Sequence, residues 1–308
     1  MRRIFGFLVL IALAAAVVLW FLSAPGRLDE AAFAGLGEPD LARGEEMFWA
    51  GGCASCHAAP GAKGDDKLLL SGGLAINSDF GTFYAPNISP DKDAGIGNWT
   101  FRQFANAMKK GTSPQGTHLY PSFPYTSYTR MAMSDLNDMW AYLQTLPVSG
   151  NVAPDHALGF PFNIRRAVGL WNFLYLRDGP VIAFDAPDEA VSRGQYLVEG
   201  PGHCGECHTP RSPIGGLEFG EWLAGATNPD GEGIIPNITP DGSIKSWSAA
   251  DIAYYLESGF TPDFDTAGGS MVSVQENMAR LPASDREAIA AYLKAIPGRP
   301  NGYPARGG

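Results

Sequence analysis

The chain carries one ordered set of short motifs twice, and the second set follows the first after about 150 residues. Five landmarks recur in the same order at nearly constant spacing, so the sequence predicts a duplicated domain. The paired landmarks are Ala42-Arg43-Gly44 with Ser192-Arg193-Gly194, Cys53-Ala54-Ser55-Cys56-His57 with Cys204-Gly205-Glu206-Cys207-His208, Pro86-Asn87-Ile88 with Pro236-Asn237-Ile238, Trp99-Thr100 with Trp247-Ser248, and Ala141-Tyr142-Leu143 with Ala291-Tyr292-Leu293.

Each copy is predicted to form a helix, the cysteine motif, a long loop, a second helix, another loop and a last helix. Asp40 is a good N-cap for the first helix, and Ser134 and Ser284 are predicted to cap the last helices. Glycine inside a helix costs about 1 kcal/mol relative to alanine. Gly44 and Gly194 therefore indicate that another backbone, which we expect to be the last helix of the same copy, crosses closely there.

The fold class that follows is all-α, with two tandem domains and one N-terminal transmembrane helix. The boundaries that we predict are residues 1–30 for a membrane anchor, 37–150 for the first domain, 151–186 for a linker with a short helix, and 187–300 for the second domain.

The N-terminus has the composition of a membrane anchor. Two arginines, Arg2 and Arg3, precede an uncharged and mostly apolar run from Ile4 to Leu22, which is long enough to cross a bilayer as one helix. Basic residues before such a helix stay in the cytoplasm, so the rest of the chain is expected in the periplasm of a bacterial inner membrane. The run ends in Trp20-Phe21-Leu22, a poor cleavage site, which favours a retained anchor over a cleaved signal peptide.

All four cysteines lie in the two Cys-x-x-Cys-His motifs. Two thiols at this spacing can form thioether bonds to the vinyl groups of one porphyrin, and the adjacent histidine then reaches its iron. We therefore predict two covalent haem c groups, attached at Cys53 and Cys56 and at Cys204 and Cys207. Dithiol redox centres would not need the histidines, and one zinc site would have to join pairs far apart in sequence.

The proximal iron ligands are predicted to be His57 and His208, and the other axial ligand is harder to assign. A methionine in the loop before the last helix suits an electron carrier. The candidates are Met131, Met133 and His118 in the first copy, and Met271 and Met278 in the second.

A constant spacing of 150 residues between the copies places Met131 opposite Leu281 and Met271 opposite Pro121. The first of these pairings favours a core role for Met131. The two copies therefore cannot use a methionine at the same aligned position. His203 precedes the second motif and has no obvious ligand geometry.

The linker contains Ile164, Val168, Trp171 and Tyr175 at the spacing of one helix face. We expect a short helix that packs against the two domains. The adjacent arginines, residues 165–166, fall elsewhere around this helix, where one of them could instead reach a haem propionate.

Three stretches resemble the cytochrome c subunits of membrane-bound alcohol, aldehyde and gluconate dehydrogenases. They are Pro86-Asn87-Ile88-Ser89-Pro90-Asp91 with Gly95-Ile96-Gly97-Asn98-Trp99, His118-Leu119-Tyr120-Pro121-Ser122-Phe123-Pro124-Tyr125, and Phe160-Pro161-Phe162-Asn163-Ile164-Arg165. The resemblance spans roughly residues 38–298. It implies class I cytochrome c domains, quinone or soluble-cytochrome partners and a separate catalytic subunit.

The resemblance also implies Met271 as the ligand of the second haem, since it lies in a matching Gly-Ser-Met segment. The chain departs from the family in two respects: it has two haem motifs where dehydrogenase subunits usually have three, and it has Phe123 where they often have methionine. That leaves Met131 as the expected ligand of the first haem.

The function expected from these features is electron transfer between a dehydrogenase or quinol-linked donor and a downstream acceptor, such as a soluble cytochrome or an oxidase. The net charge of −10 argues against a nucleic-acid partner. One alternative is a dihaem redox enzyme with an open iron, of the peroxidase or thiosulfate-oxidising type. The other is the cytochrome c subunit of an oxidase.

Overall fold

The computed structural model describes residues 2–183, 185–229 and 233–304. Helices make up most of the regular structure of these residues, and the strands are short. The helices are α1 (Arg2–Leu22), α2 (Leu41–Ala50), α3 (Cys53–His57), α4 (Phe101–Lys110), α5 (Tyr125–Tyr128), α6 (Met133–Leu143), α7 (Ala167–Tyr175), α8 (Glu189–Glu199), α9 (Gly205–His208), α10 (Ala249–Ser258), α11 (Met271–Met278) and α12 (Ala283–Ala295).

The same helix packing occurs twice along the chain, and we call residues 37–150 the first half and residues 187–300 the second half. In the first half α2 packs on α6, and in the second half α8 packs on α12. A Cβ on Gly44 would lie 2.2 Å from the carbonyl oxygen of Asp138, and one on Gly194 would lie 1.9 Å from that of Ala288. The predicted close crossing of the last helix is therefore confirmed in both halves.

An ion pair joins the same two helices in each half. The Arg43 guanidinium lies 2.7 Å from the carboxylate of Asp135, which is buried. Arg193 makes the equivalent contact with Asp285, also at 2.7 Å. The repeated Arg-Gly landmark thus serves packing, because the arginine binds the last helix and the glycine lets that helix approach.

The helix caps follow the sequence only in part. Asp40 accepts hydrogen bonds from the backbone of Ala42 and Arg43, as predicted for an N-cap. The prediction for Ser134 and Ser284 is wrong, because α6 begins at Met133 and α12 at Ala283, so each serine is the second residue of its helix and not the residue before it.

The small strands were not expected for an all-helical chain. The strands β1 (Ala75–Ser78) and β2 (Gly81–Tyr84) form a hairpin, and β3 (Ala157–Leu158) from the linker adds to β2. The strands β4 (Ala226–Thr227) and β5 (Ile234–Ile235) pair in the second half. Two-residue and four-residue strands leave too little alternation in the sequence to be recognised.

Within the part of the chain that the structure describes, one helix, α1, is long and apolar enough to span a membrane, with 21 residues, a mean hydropathy of 2.8 and no buried residue. The segment directly after it is hydrogen-bonded to the first half and to the linker. The Ser23 carbonyl accepts a 2.9 Å hydrogen bond from Nε2 of His118, and Nε of Arg166 donates to the Ser23 hydroxyl at 2.9 Å. Further along, Gly26 accepts a bond from Thr112.

The linker helix is α7, and it packs against the end of α1. A Cβ on Gly169 would lie 2.3 Å from the Ser23 carbonyl, so this glycine allows the close approach. Val168 is buried, as expected for a packing helix, whereas Phe173 is 68% exposed. The arginines before α7 also pack here: Arg165 donates to the carbonyl of His118, and Arg166 stacks over the ring of Trp20. The linker arginines are therefore used in packing, as the helix pattern favoured.

Candidate haem sites

The first cysteine motif forms a short helix at a sharp turn of the chain. Helix α2 ends at Ala50, and Gly52 takes a left-handed conformation, with φ of 63°, directly before α3. Helix α3 brings Cys53, Cys56 and His57 onto about one turn. The second motif has the same form, with Cys204 as the N-cap of α9.

Each motif histidine is held by a proline carbonyl. Nδ1 of His57 lies 2.8 Å from the oxygen of Pro86, and Nδ1 of His208 lies 2.7 Å from that of Pro236. Since a carbonyl can only accept, Nδ1 carries the proton and Nε2 presents its lone pair. This orienting bond is the usual support of a metal-binding imidazole. The sequence marked both prolines as repeat landmarks without indicating this role.

The electrostatics keep both imidazoles neutral. Burial lowers the pKa of His57 and of His208, against a smaller opposing effect of the proline carbonyls. A neutral imidazole is the form that binds iron. The two histidines therefore fit the predicted role of proximal haem ligands.

The first cysteine of each motif has a partly buried and uncharged thiol. Burial raises the pKa of Cys53 and of Cys204 to about 12, so both thiols are uncharged at neutral pH. A thiolate is the form that binds zinc or attacks a disulfide. Among the described residues, no group of three or more histidine, cysteine or acidic side chains could hold a metal ion.

The candidates for the other axial ligand, which binds the iron on the distal side of each haem, lie in different surroundings. Met271 begins α11 and is partly buried against the apolar core. Met131 is 1% exposed in the core of the first half. His118 is also buried, but its Nε2 bonds to Ser23 at the end of α1, which takes it away from a ligand role. Iron ligation by Met131 and by Met271 stays a prediction.

The register that placed Met271 opposite Pro121 is wrong in this loop. The backbone of Met271 donates to Gly268 at 3.2 Å, and the matching bond in the first half runs from Phe123 to Tyr120 at 3.0 Å. The spacing between the halves is 148 residues here and is 150 again by the end of α11, where Met278 matches Tyr128. Helix α11 has eight residues where α5 has four. Met271 therefore stands opposite Phe123.

The two motifs face each other across the contact between the halves. Oε1 of Glu206, in the second motif, accepts hydrogen bonds from Thr126 at 2.7 Å and Ser127 at 2.9 Å. In return Asn277, on α11, donates to Ser55 of the first motif at 2.8 Å. The same variable position of each motif is thus held by the short helix of the other half.

His203 also lies between the motifs, a position that the sequence did not indicate. Its ring packs near Gly52, where a Cβ would be 3.2 Å from Cε1, and lies 5.5 Å from the ring of Tyr128. Nδ1 of His203 lies 2.9 Å from the carbonyl of Pro201, and burial lowers the pKa of the imidazole. No spacing in the sequence could have placed His203 beside the first motif, because the two are far apart along the chain.

The helical fold around a Cys-x-x-Cys-His site with an oriented, neutral histidine defines a c-type cytochrome. Residues 41–147 match the family described as Cytochrome c. The chain is 52% identical over 297 residues to a diheme cytochrome c-type protein of Cereibacter sphaeroides, and the match covers 96% of this chain and 98% of the relative. The chain belongs to the dihaem c-type cytochromes.

Two further relatives are cytochrome subunits of dehydrogenases. The chain is 38% identical over 266 residues to the fructose dehydrogenase cytochrome subunit of Gluconobacter japonicus, and the match covers 85% of this chain and 53% of that protein. It is 34% identical over 274 residues to the cytochrome c subunit of the quinone alcohol dehydrogenase of Gluconobacter oxydans, covering 85% of this chain and 56% of that protein. The chain thus spans about half the length of each of these two relatives.

Proposed function

We propose that this chain is a membrane-anchored, periplasm-facing cytochrome that carries two haem c groups, one in each half. It passes electrons between a dehydrogenase or quinol-linked donor and a downstream acceptor. Each half is a class I cytochrome c domain. When bound, the haems supply the reversible one-electron chemistry, and the residues of this chain attach, orient and cover them.

The observation that carries this proposal is the adjacency of the two motifs. Glu206 and Ser55 each bond to the opposite half, so both attachment sites belong to one contact surface. Burial raises the pKa of Cys207, and the adjacent Glu206 raises it further against an opposing effect of Arg211. Adjacent sites favour an electron that enters at one haem and leaves from the other.

The attachment residues proposed are those of the motifs. Cys53 and Cys56 hold the first haem, with His57 as its proximal ligand. The matching residues of the second site are Cys204, Cys207 and His208, and we propose Met271 as the distal ligand there. Met271 is partly buried at the start of α11, between α10 and the last helix, which is the part of the chain where the sequence predicted the distal ligand.

The membrane part of the proposal is supported by the bonded end of α1. A signal peptide is cut from the mature protein, whereas here Ser23 and Gly26 accept hydrogen bonds from His118 and Thr112. The exposed apolar side chains of α7, which include Phe173 and Leu174, lie on a helix that contacts this end. Both features favour a retained anchor with the first half close to the bilayer.

A dehydrogenase donor is supported by the relatives that are cytochrome subunits of such enzymes. The test is purification of the full chain in mild detergent from native membranes, followed by mass spectrometry and spectroscopy. We expect two haems per chain, the N-terminal helix present, and a dehydrogenase catalytic subunit whose substrate reduces both haems. One haem or none, or co-purification with an oxidase core alone, would contradict the proposal.

A further inference from the structure

The loop before the short helix has the same backbone in both halves, which allows its residues to be compared one by one. Leu119 donates to the carbonyl of Gly111 at 2.7 Å, and Ala267 donates to that of Gly259 at 2.8 Å. Both glycines end a helix in the left-handed conformation, and each is 148 residues from its counterpart. The register of the loop is therefore fixed by hydrogen bonds and not only by sequence likeness.

The same register continues to the position of Met271. Phe123 and Met271 are both partly buried, both pack against the apolar core, and both make the equivalent backbone bond. Phe123 lies among aromatic side chains, with ring centroids 5.6 Å from Tyr128 and 6.2 Å from Tyr125. The place that holds a thioether sulfur in the second half thus holds a phenyl ring in the first, and a phenyl ring has no lone pair for a metal.

Met131 belongs to a different position of the fold. Its backbone donates to Tyr128 at 2.9 Å, and the matching bond in the second half runs from Leu281 to Met278 at 3.1 Å. Met131 is 1% exposed and Leu281 is 3% exposed. A residue that the second half replaces with leucine has a packing role there, so the same role accounts for Met131. Met133 is the first residue of α6, and its counterpart at the start of α12 is Ala283, so the second half has no sulfur at that position either.

We propose that the first half gives its haem iron no methionine ligand, and that its distal side, beside Phe123, takes a small exogenous ligand of the carbon monoxide or cyanide type. This rests on the proposed function, since it needs a haem in each half. The second half keeps Met271 on its iron. The protein would then have one closed and one open iron site, although both halves share a fold.

The test is carbon monoxide titration of the reduced, detergent-solubilised full chain, with the sulfur-to-iron absorption band recorded in the oxidised protein. We expect one carbon monoxide for every two haems, and a band intensity that corresponds to one methionine-bound iron. Phe123→Met should abolish carbon monoxide binding and double the band. Met271→Phe should give the opposite result, two carbon monoxide molecules per chain and no band.

Two further variants serve as controls. One tests whether Met131 binds iron, and the other tests whether the effect of Phe123→Met comes from the sulfur and not from a disturbed fold. Met131→Leu, which installs the residue of the second half, should leave both the titration and the band unchanged. Phe123→Leu, which has no sulfur, should keep one carbon monoxide per chain. Loss of the band in Met131→Leu, or no carbon monoxide binding by the unaltered protein with two haems attached, would overturn this inference. A haem content below two per chain would instead overturn the proposed function.

Discussion

The hydroxyl of Thr126 donates a 2.7 Å hydrogen bond to the carboxylate of Glu206, which joins the short helix of the first half to the cysteine motif of the second. The Glu206 side chain is 9% exposed and also pairs with Arg211 at 2.6 Å. A carboxylate that is buried to this extent needs hydrogen-bond donors, because an unpaired buried charge is strongly unfavourable. The contact between the halves thus depends on polar bonds at the haem motifs themselves.

Removing the two hydroxyl donors should weaken this contact. We expect the double variant Thr126→Val with Ser127→Ala to lower the free energy of unfolding by about 1–3 kcal/mol, since the carboxylate keeps only its arginine. Chemical denaturation followed by circular dichroism measures the change. Thr82→Val, which removes an exposed hydroxyl bond, is the matched control and should cost less than about 0.5 kcal/mol. Equal stability of both variants would show that Glu206 does not depend on these donors.

The crossing glycines should not tolerate a methyl group. Gly44→Ala and Gly194→Ala would each place a Cβ within 2.2 Å of a backbone carbonyl of the last helix. Overpacking of this kind costs about 1–3 kcal/mol or more, because backbone has to shift. Thermal unfolding monitored by circular dichroism is the measurement. Gly150→Ala, where nothing lies within 4 Å, is the control and should unfold like the unaltered protein.

A second methyl test concerns the motif of the second half. A Cβ on Gly205 would lie 2.0 Å from the indole ring of Trp222, which is buried. We expect Gly205→Ala to reduce haem attachment in the second half while the first half keeps its haem. Mass spectrometry of peptides that contain each motif measures this. The first motif has Ala54 at the same place, so Ala54→Gly is the control, and full attachment in Gly205→Ala would be the contrary result.

Lys109 should make stability depend on pH. Burial lowers its pKa to about 8 from 10.5, although its ammonium donates to the carbonyl of Met131 at 2.6 Å. The folded state therefore binds fewer protons than the unfolded state between these values. Stability rises with pH in this window, by up to about 1.4 kcal/mol per pH unit. Below about pH 8 Lys109 is protonated in both the folded and the unfolded state, so it lowers the free energy of unfolding by an amount that no longer changes with pH.

The measurement is urea denaturation from pH 7 to 10.5. The rise between about pH 8 and 10.5 should be absent in Lys109→Met and present in Lys245→Met, whose side chain is 73% exposed. The difference between the variants isolates the lysine from other groups that titrate in the same range. Parallel curves for the two variants would refute the assignment.

The end of α1 should be released by a substitution in α7. Gly169→Ala would place a Cβ 2.3 Å from the Ser23 carbonyl and 2.7 Å from Nε2 of His118. We expect the segment after α1 to detach and to become several-fold more sensitive to limited proteolysis, while haem attachment is unchanged. Gly159→Ala, with nothing within 4 Å, is the control. Unchanged cleavage in Gly169→Ala would mean that the segment stays in place without this contact.

Sequence patterns predicted the parts of the site that depend on short spacing. The motif residues, the N-cap at Asp40 and the crossing at Gly44 all follow from local chemistry or from the duplication. Contacts between the halves could not be predicted, since Ser55 and Asn277 are joined over 222 positions. The register at Met271 was misplaced because a spacing of 150 was assumed there, although the pair Trp99 and Trp247 already has a spacing of 148. The hydrogen bonds show that the spacing of 148 holds as far as Met271.

The bonded end of α1 has a mechanical consequence. If a flexible linker followed α1, the rest of the chain could rotate freely relative to this helix. Instead, Ser23 is hydrogen-bonded to His118 and Arg166, which fixes the end of α1 against the first half. If α1 spans the bilayer, the first half therefore keeps one orientation and one height above the lipid surface. A partner in the same membrane then has to approach by lateral diffusion, with its matching surface turned towards this protein. Substitutions of His118 or Arg166 would therefore change the encounter rate and leave the haem potentials unchanged.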